Sequence, residues 1–332
     1  MRRTLSAAAL ALVLAAGPAA AQDEPELVVY TYDSFNTEWG PGPAIKAAFE
    51  EECGCTLRFV GAGDGAALVS RLRLEGARSP ADVVLGLDTN LMAEAEAAGL
   101  FAPHGVAAGG LDLPVAWDDP TFLPYDWGYF AFVYDRTRLA DPPASFEELI
   151  ASDARIVIQD PRSSTPGLGL LMWVKEAYGD RAAEIWAGLA PRILTVTPGW
   201  SEAYGLFLDG EADMALSYTT SPAYHLIAEE DDSKRAAIFD EGHHLQIELG
   251  ARTAASDQPE LATRFLAFML SEAAQSIIPT TNWMYPARTP EAGLPAGFAA
   301  LDLPAKALLA PPETAREARD AALDEWLRAL SR

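Results

Sequence analysis

Basic residues are scarce in this 332-residue chain: 24 lysines and arginines stand against 48 aspartates and glutamates, a formal net charge of −24. So acidic a chain is excluded as a partner of nucleic acid or anionic membrane, because phosphate-backbone binding needs basic surface. The charge favours solubility, and an anionic part of any ligand would need strong local donors against that background. Cysteine is nearly absent. Cys53 and Cys55, within Cys53-Gly54-Cys55, are the only two, and two thiols do not complete a tetrahedral zinc shell. No metal or cofactor site is expected. In an exported chain such a pair is usually oxidised. Gly54 permits the tight bend, and so small a loop contributes little entropic stabilisation. A catalytic thiol is the alternative reading of the same pair. Missing too are an internal repeat, a low-complexity tract, a long flexible linker and any apolar run long enough to span a bilayer.

The N-terminus indicates an exported protein. Arg2 and Arg3 precede a short apolar run from Leu5 to Ala16, and Ala19 and Ala21 fit the small-x-small cleavage pattern. Residues 1–21 are read as a signal peptide. No cysteine follows the run, so no lipid anchor is expected at the cleavage site. Cleavage removes two positive charges and no negative ones, leaving a mature chain of −26.

From Leu27 onward, apolar strand-like runs alternate with amphipathic helical stretches. Leu27 to Tyr32, Thr56 to Val60 and Ala81 to Leu87 read as strands. Helices follow from Pro43, after Gly65, and after Thr89 or Asn90 as caps. The aromatic run Tyr125 to Tyr134 leads into a second unit. There Ser145 and Glu148 form a capping box, Arg155 to Gln159 is a strand, and a helix follows Pro166. Ile193 to Val196 and Met214 to Tyr218 are further strands, and Leu245 to Ala251 crosses back. Ser256 is expected to cap the next helix, and the tail from Pro311 forms a charged helix ending near Leu330. The expected fold is α/β, with parallel helix-covered sheets in two lobes. Lobe 1 takes residues 22–130 and 249–290, lobe 2 takes 131–248, and residues 291–332 pack on lobe 2. A chain that crosses more than once leaves a cleft at the carboxyl ends of the strands, where ligands bind.

Several segments are placed to line that cleft. Gly199 to Tyr204 and Ser217 to Tyr224 concentrate aromatics and hydroxyls suited to a flat cation, and neither supplies a nucleophile–base pair. Tyr32-Asp33-Ser34-Phe35, with Trp39 behind it, and Gly63-Asp64-Gly65 each follow a strand. Asp160 to Gly167 offers hydroxyls at a helix start, a seat for an anion or simple N-capping. Arg162 pairs either with a phosphate or with a surface carboxylate. Asp88 and Asp126 stand near strand ends, facing a cation or serving as surface or cap residues. His243 and His244 are adjacent on a strand and point to opposite faces, which fits a solvated or structural role better than a metal site. Asn282-Trp283-Met284-Tyr285-Pro286 lies near a further crossing, with Trp283 at the ligand or the hinge.

In these strings the chain resembles the thiamine-binding periplasmic proteins of ABC importers. The likeness runs from Tyr30-Thr31-Tyr32-Asp33-Ser34-Phe35 to Trp326-Leu327-Arg328. It is most specific in Trp39 to Pro43, Ala81 to Asp88, Ser164 to Gly169, Gly199 to Gly205, Ser217 to Tyr224 and Asn282 to Pro286. The resemblance implies a two-lobed type II periplasmic binding protein fold, with a ligand cleft between lobes that closes over thiamine, thiamine monophosphate or thiamine diphosphate. It implies no enzymatic activity, a monomer, and delivery to a membrane permease and its ATPase. By position, Asp64 and Gly65 would contact the ligand, and Ser164 and Thr165 would hold its hydroxyethyl or phosphate end. Trp200, Tyr218, Thr219, Thr220 and Ser221 would line the ring site, with Tyr224 nearby and Tyr32, Trp39 and Trp283 beyond. The Cys53–Cys55 pair also matches the family pattern, which favours a structural role. Around Asp64 the chain is more glycine-rich than that pattern.

Other classes make different demands. A thiamine-cleaving transferase of this fold needs an activated thiolate in the cleft, and only Cys53 or Cys55 could supply it. A ferric-iron carrier would use Tyr218 and Tyr224, which are not an adjacent pair. A polyamine carrier leaves the Ser164-Thr165 segment without a role.

Overall fold

The computed structural model describes residues 24–331; the signal peptide expected over residues 1–21 lies outside the described residues. Three strand–helix units open the chain. β1 (Glu26–Thr31) leads to α1 (Gly42–Cys53), β2 (Thr56–Gly61) to α2 (Gly65–Glu75), and β3 (Val83–Asp88) to α3 (Met92–Ala97). β1 pairs in parallel with both β2 and β3. All six residues of β3 are buried, as a strand covered by helices on both faces requires. After the short β4 (Phe101–Ala102), β5 (Phe122–Asp135) leaves this lobe for the next.

The second lobe repeats the alternation. It runs through α4 (Phe146–Ala151), β6 (Ile156–Gln159), α5 (Thr165–Tyr178), α6 (Ala182–Leu189), β7 (Ile193–Thr197), α7 (Trp200–Leu208), β8 (Met214–Tyr218), α8 (Pro222–Ala228) and β9 (Lys234–Ala237). β10 (His243–Thr253) then returns to the first lobe, followed by α9 (Pro259–Met269), α10 (Glu272–Thr281) and β11 (Tyr285–Pro286). β12 (Ala307–Leu308) and α11 (Pro312–Leu330) end the chain. α11 packs on α5 and α6 and also on α3 of the first lobe. It joins α5 through a Lys175–Glu325 ion pair of 2.8 Å and α3 through Arg319 and Glu94.

The strand order is β2-β1-β3-β10-β5-β8-β6-β7. β5 and β10 are the long antiparallel pair common to both lobes, in a register that sets Glu248 opposite Asp126. β11 adds to β5 at the same level, Pro286 opposite Asp126 and Tyr285 opposite Trp127. The hinge is therefore backbone paired on both sides. The cleft opens beside it, where β1, β2, β6 and β8 deliver their carboxyl ends.

Local signals mostly hold. Ser145 Oγ accepts from the Glu148 N–H at 3.0 Å, and Glu148 reaches back to the Ala144 N–H at 2.9 Å. Two expectations are corrected. Ser256 does not cap α9, whose N-cap is Gln258; its hydroxyl accepts from the Gln258 N–H and donates to Asp82 instead. Thr89 and Asn90 do not cap α3. The N-cap is Leu91, with no side-chain cap, and Asp88 holds the turn before it, accepting from the Leu91 N–H at 3.0 Å and from Asn90 at 3.1 Å. Of the solvated and structural roles open to His243 and His244, the structural one holds, since both are fully buried. His243 bridges the Phe239 N–H and the Phe130 carbonyl, and burial pushes its imidazole down to about 4. His244 joins Glu176 to Asn90.

Candidate functional site

The lobes close over a cavity of about 540 Å³, within the roughly 300–1,000 Å³ usual for small-molecule sites. Its aromatic wall is held in place by hydrogen bonds behind it. Trp200 opens α7, donates its indole N–H to Ser217 Oγ at 2.8 Å and stacks on Tyr204 at 4.9 Å. The Ser217 and Ser221 hydroxyls bond at 2.7 Å, and Ser221 Oγ accepts from the Tyr218 N–H at 3.2 Å. That tight turn from β8 into α8 sets Tyr218 and Tyr224 on the cavity. Across the mouth, Trp39 of the first lobe meets Trp200 with ring centroids 6.3 Å apart, while 55% of its surface remains exposed. Trp283 stands edge-on to Tyr224 at 5.3 Å. Its φ of +56° is unusual for a large side chain and marks a backbone held against its preference.

The floor is acidic. Glu248, 7% exposed, accepts from Tyr125 at 2.7 Å, Tyr32 at 3.0 Å and Gln246 at 3.0 Å. Asp126, opposite it and fully buried, accepts from Asn282 at 2.7 Å through one oxygen. The other oxygen has no donor, and the two carboxyls lie within hydrogen-bonding reach of each other. Burial raises Glu248 to about 7, with the charge of Asp64 adding to it and the tyrosine hydroxyls opposing. Burial, then the Glu248 charge, lifts Asp126 well above the carboxylate range.

A third carboxylate spans the lobes. Asp64 caps α2 of the first lobe, accepting from the Gly65 N–H at 2.9 Å. It also accepts from Ser164 Oγ and Thr165 Oγ1, both at 2.9 Å, at the start of α5 in the second lobe. Two helix N-termini thus converge on one negative charge. Desolvation between the closed lobes still raises its carboxyl above the usual range, against the pull of Thr165, Gly65 and Ser164.

Of the thirteen residues expected at the site, Asp64, Thr165, Trp200, Tyr218, Ser221, Tyr224, Tyr32, Trp39 and Trp283 line this cavity. The other four lie behind its wall. Gly65 and Ser164 are buried in the Asp64 junction. Thr219 donates its N–H to Tyr129, and Thr220 bonds the Met284 sulfur. The hydroxyls expected to seat an anion at α5 are taken by Asp64. Arg162 pairs with Asp160 at 2.8 Å, away from the cavity. Asp88 is a buried turn residue ahead of α3, raised to about 6 by desolvation, and Asp126 is neither a surface nor a cap residue. Glu248 is the main omission. The available signal was the Gln246, Glu248 alternation among Leu245, Ile247 and Leu249, which places two polar groups on one face of a crossing strand. Tyr204, Asn282 and Met284 also line the cavity. Cys53, the last residue of α1, and Cys55 form a disulfide, leaving no free cysteine among the described residues.

The sequence profile of bacterial extracellular solute-binding proteins matches residues 38–276. The chain belongs to that family. A protein named thiamine-binding periplasmic protein from Escherichia coli (strain K12) is 55% identical over 323 residues, covering 97% of this chain and 98% of that one. One of the same name from Brucella abortus is 53% identical over 315 residues, 94% of each. A solved structure described as a periplasmic thiamin binding protein superposes with a TM-score of 0.91 at 55% identity, covering 93% of this chain and 97% of that one. An iron-bound protein of Pseudomonas aeruginosa, at 24% identity and a TM-score of 0.74, shares the fold alone across 92% of this chain and 99% of its own. This solute-binding protein therefore has the two-lobed periplasmic binding fold and is not an enzyme.

Proposed function

We propose that this protein is the periplasmic solute-binding component of an ABC importer, and that its solute is thiamine, free or phosphorylated. The carrying observation is the end-to-end similarity at 55% identity to proteins named for thiamine binding. The cavity supports it on chemical grounds. Thiamine is a flat, permanently cationic molecule, and the walls are aromatic faces over an acidic floor, with no lysine, arginine or histidine in the lining. Tyr32, Trp39, Trp200, Tyr218, Tyr224 and Trp283 enclose the rings, and Ser221 and Thr165 offer hydroxyls to the polar ends. Asp64, Gly65 and Ser164 shape the end at which the hydroxyethyl group or its phosphate would lie. Thr219 and Thr220 support that wall from behind. Closure then fixes one shape for the permease and ATPase to read. In domain terms, residues 22–130 and 249–290 form one lobe, 131–248 the other, and 291–332 brace it.

The test is a calorimetric titration of refolded mature protein with thiamine, its monophosphate, its diphosphate, spermidine and ferric citrate. One-to-one binding confined to the thiamine forms is expected. Silence toward all three of them, or tighter binding of spermidine or iron, overturns the reading.

A further inference from the structure

Glu248 and Asp64 line this cavity and Asp126 lies buried opposite Glu248, and each carboxylate is held by hydrogen bonds with no ion pair among the described residues. The groups packed on Glu248 supply hydrogen bonds and no positive charge. They are Gln246 from β10, Tyr125 and Asp126 from β5, Tyr32 after β1, and Asn282, which meets both Tyr32 and Asp126, after α10. Two further titratable groups face it across the cavity: Asp64, whose charge is of the same sign, and Tyr218 of β8, a phenol that burial and these carboxylates hold well above its ordinary range. Two carboxyls in contact inside a desolvated site do not both ionise without a compensating cation. In the empty cleft that compensation is absent from the protein itself.

We propose that the Glu248–Asp126 pair is the charge switch of the cavity, holding in the empty cleft a proton that it releases to solvent when a cationic ligand binds. This rests on the thiamine reading for the identity of the cation. The pair keeps one proton shared between the two carboxyls throughout. The second proton neutralises the pair when the cleft is empty and is exchanged for the positive ring of the ligand, so charge is conserved at the floor. Glu248 is the member that lines the cavity, so it is the carboxylate that emerges. The raised titration of Glu248 to about 7 puts the exchange near neutrality. Affinity then rises with pH, roughly tenfold per unit below that point, and flattens above it. A neutral analogue of the same shape gains nothing from the switch.

The experiment is a calorimetric titration of wild-type mature protein with thiamine, in buffers of different ionisation enthalpy, at about pH 6 and about pH 8.5. Close to one proton released at the lower pH and almost none at the higher is expected. Glu248→Gln should abolish the release and flatten the pH profile, and Asp126→Asn should move the profile to lower pH. Thiamine binding without proton release at pH 6, and with equal affinity at both values, overturns the proposal and leaves the thiamine reading standing. Absence of thiamine binding at either pH overturns that reading instead. The pair is then judged on the ligand-free protein, by the infrared carboxylic-acid band that Glu248→Gln removes. Titration of that band near neutrality supports the switch; titration only in the ordinary carboxylate range sinks it.

Discussion

At the scale of single residues, the cavity is built from groups held in states they would not choose in water. Glu248 is a carboxyl whose folded-state value, about 7, lies above its ordinary 4.5. A folded state that binds a proton more tightly is favoured below the unfolded value, and that advantage is lost as pH rises through the folded one. The displacement corresponds to about 3 kcal/mol. His243, pushed down to about 4 by burial, works in the other direction, since its neutral form costs stability as pH falls below its ordinary 6.5. The two partly cancel in a wild-type stability curve, so the difference between variant and wild type is the informative quantity. Ligand-free Glu248→Gln should gain stability relative to wild type between pH 5 and pH 8, by up to ~3 kcal/mol, read from denaturant melts at each pH. Trp283 is the second such residue. Trp283→Ala and Trp283→Gly should weaken thiamine alike, by about 0.5–2 kcal/mol for a lost cation–π face. Only the glycine variant should recover the strain at φ +56°, appearing roughly 1 kcal/mol more stable than the alanine variant. Equal stabilities would mean that the backbone there is unstrained. Large aromatic and hydroxyl clusters at strand ends were legible in the sequence because their types are rare together. Glu248 and Asp126 were harder to read, because a charge inside an apolar strand acquires meaning only once a second strand sets another opposite it.

At the scale of elements, the alternation of strands and helices was legible almost throughout, since period and capping are local. Ser145 with Glu148, Pro at the start of α1, and the apolar face of α9 all follow from spacing within one segment. The caps of α3 and α9 were misread because several polar residues precede each helix, and tertiary partners decide which one is free: Ser256 is drawn to Asp82, and Asn90 to Asp88 and His244. The same limit applied to the start of α5. Hydroxyls at a helix N-terminus signal an anion, and the anion here is a side chain of the protein from the other lobe. Gly65 shows how closely α2 and α5 meet. A β-carbon there would lie 2.5 Å from Thr165 Oγ1 and 3.0 Å from the Gly86 carbonyl. The carbonyl belongs to β3 of the same lobe and need give by only a few tenths of an ångström, in open and closed forms alike, whereas the hydroxyl is the lobe-crossing contact, tied to Asp64 and the Gly65 N–H when the lobes are shut. Gly65→Ala should therefore leave the unliganded fold intact by circular dichroism and weaken thiamine by tenfold or more, through a closed form that no longer fits. Unchanged affinity would show that α2 and α5 do not approach this closely in the bound protein.

At the scale of the whole molecule, binding and closure draw on the same few contacts. The hinge is an antiparallel pair, β5 with β10, whose register shifts between Glu248 and Leu249, so the lobes are joined by paired backbone on either side of that irregularity. Few polar contacts then have to form as they close, and the Asp64 junction is the most concentrated of them. Each hydroxyl donated to its carboxylate is a hydrogen bond to a charged group, worth roughly 1.5–3 kcal/mol. Losing one of that size changes the ratio of closed to open molecules by about tenfold or more. Ser164→Ala removes one donor without disturbing the α2 cap that Asp64 also forms. Its ligand-free form should open, with a larger radius of gyration by small-angle scattering than wild type, and saturating thiamine should return both to the same compact value. A variant that scatters like wild type without ligand would mean that the aromatic contact between Trp39 and Trp200, not Asp64, holds the empty lobes together. Trp39→Ala would then be the substitution that opens them.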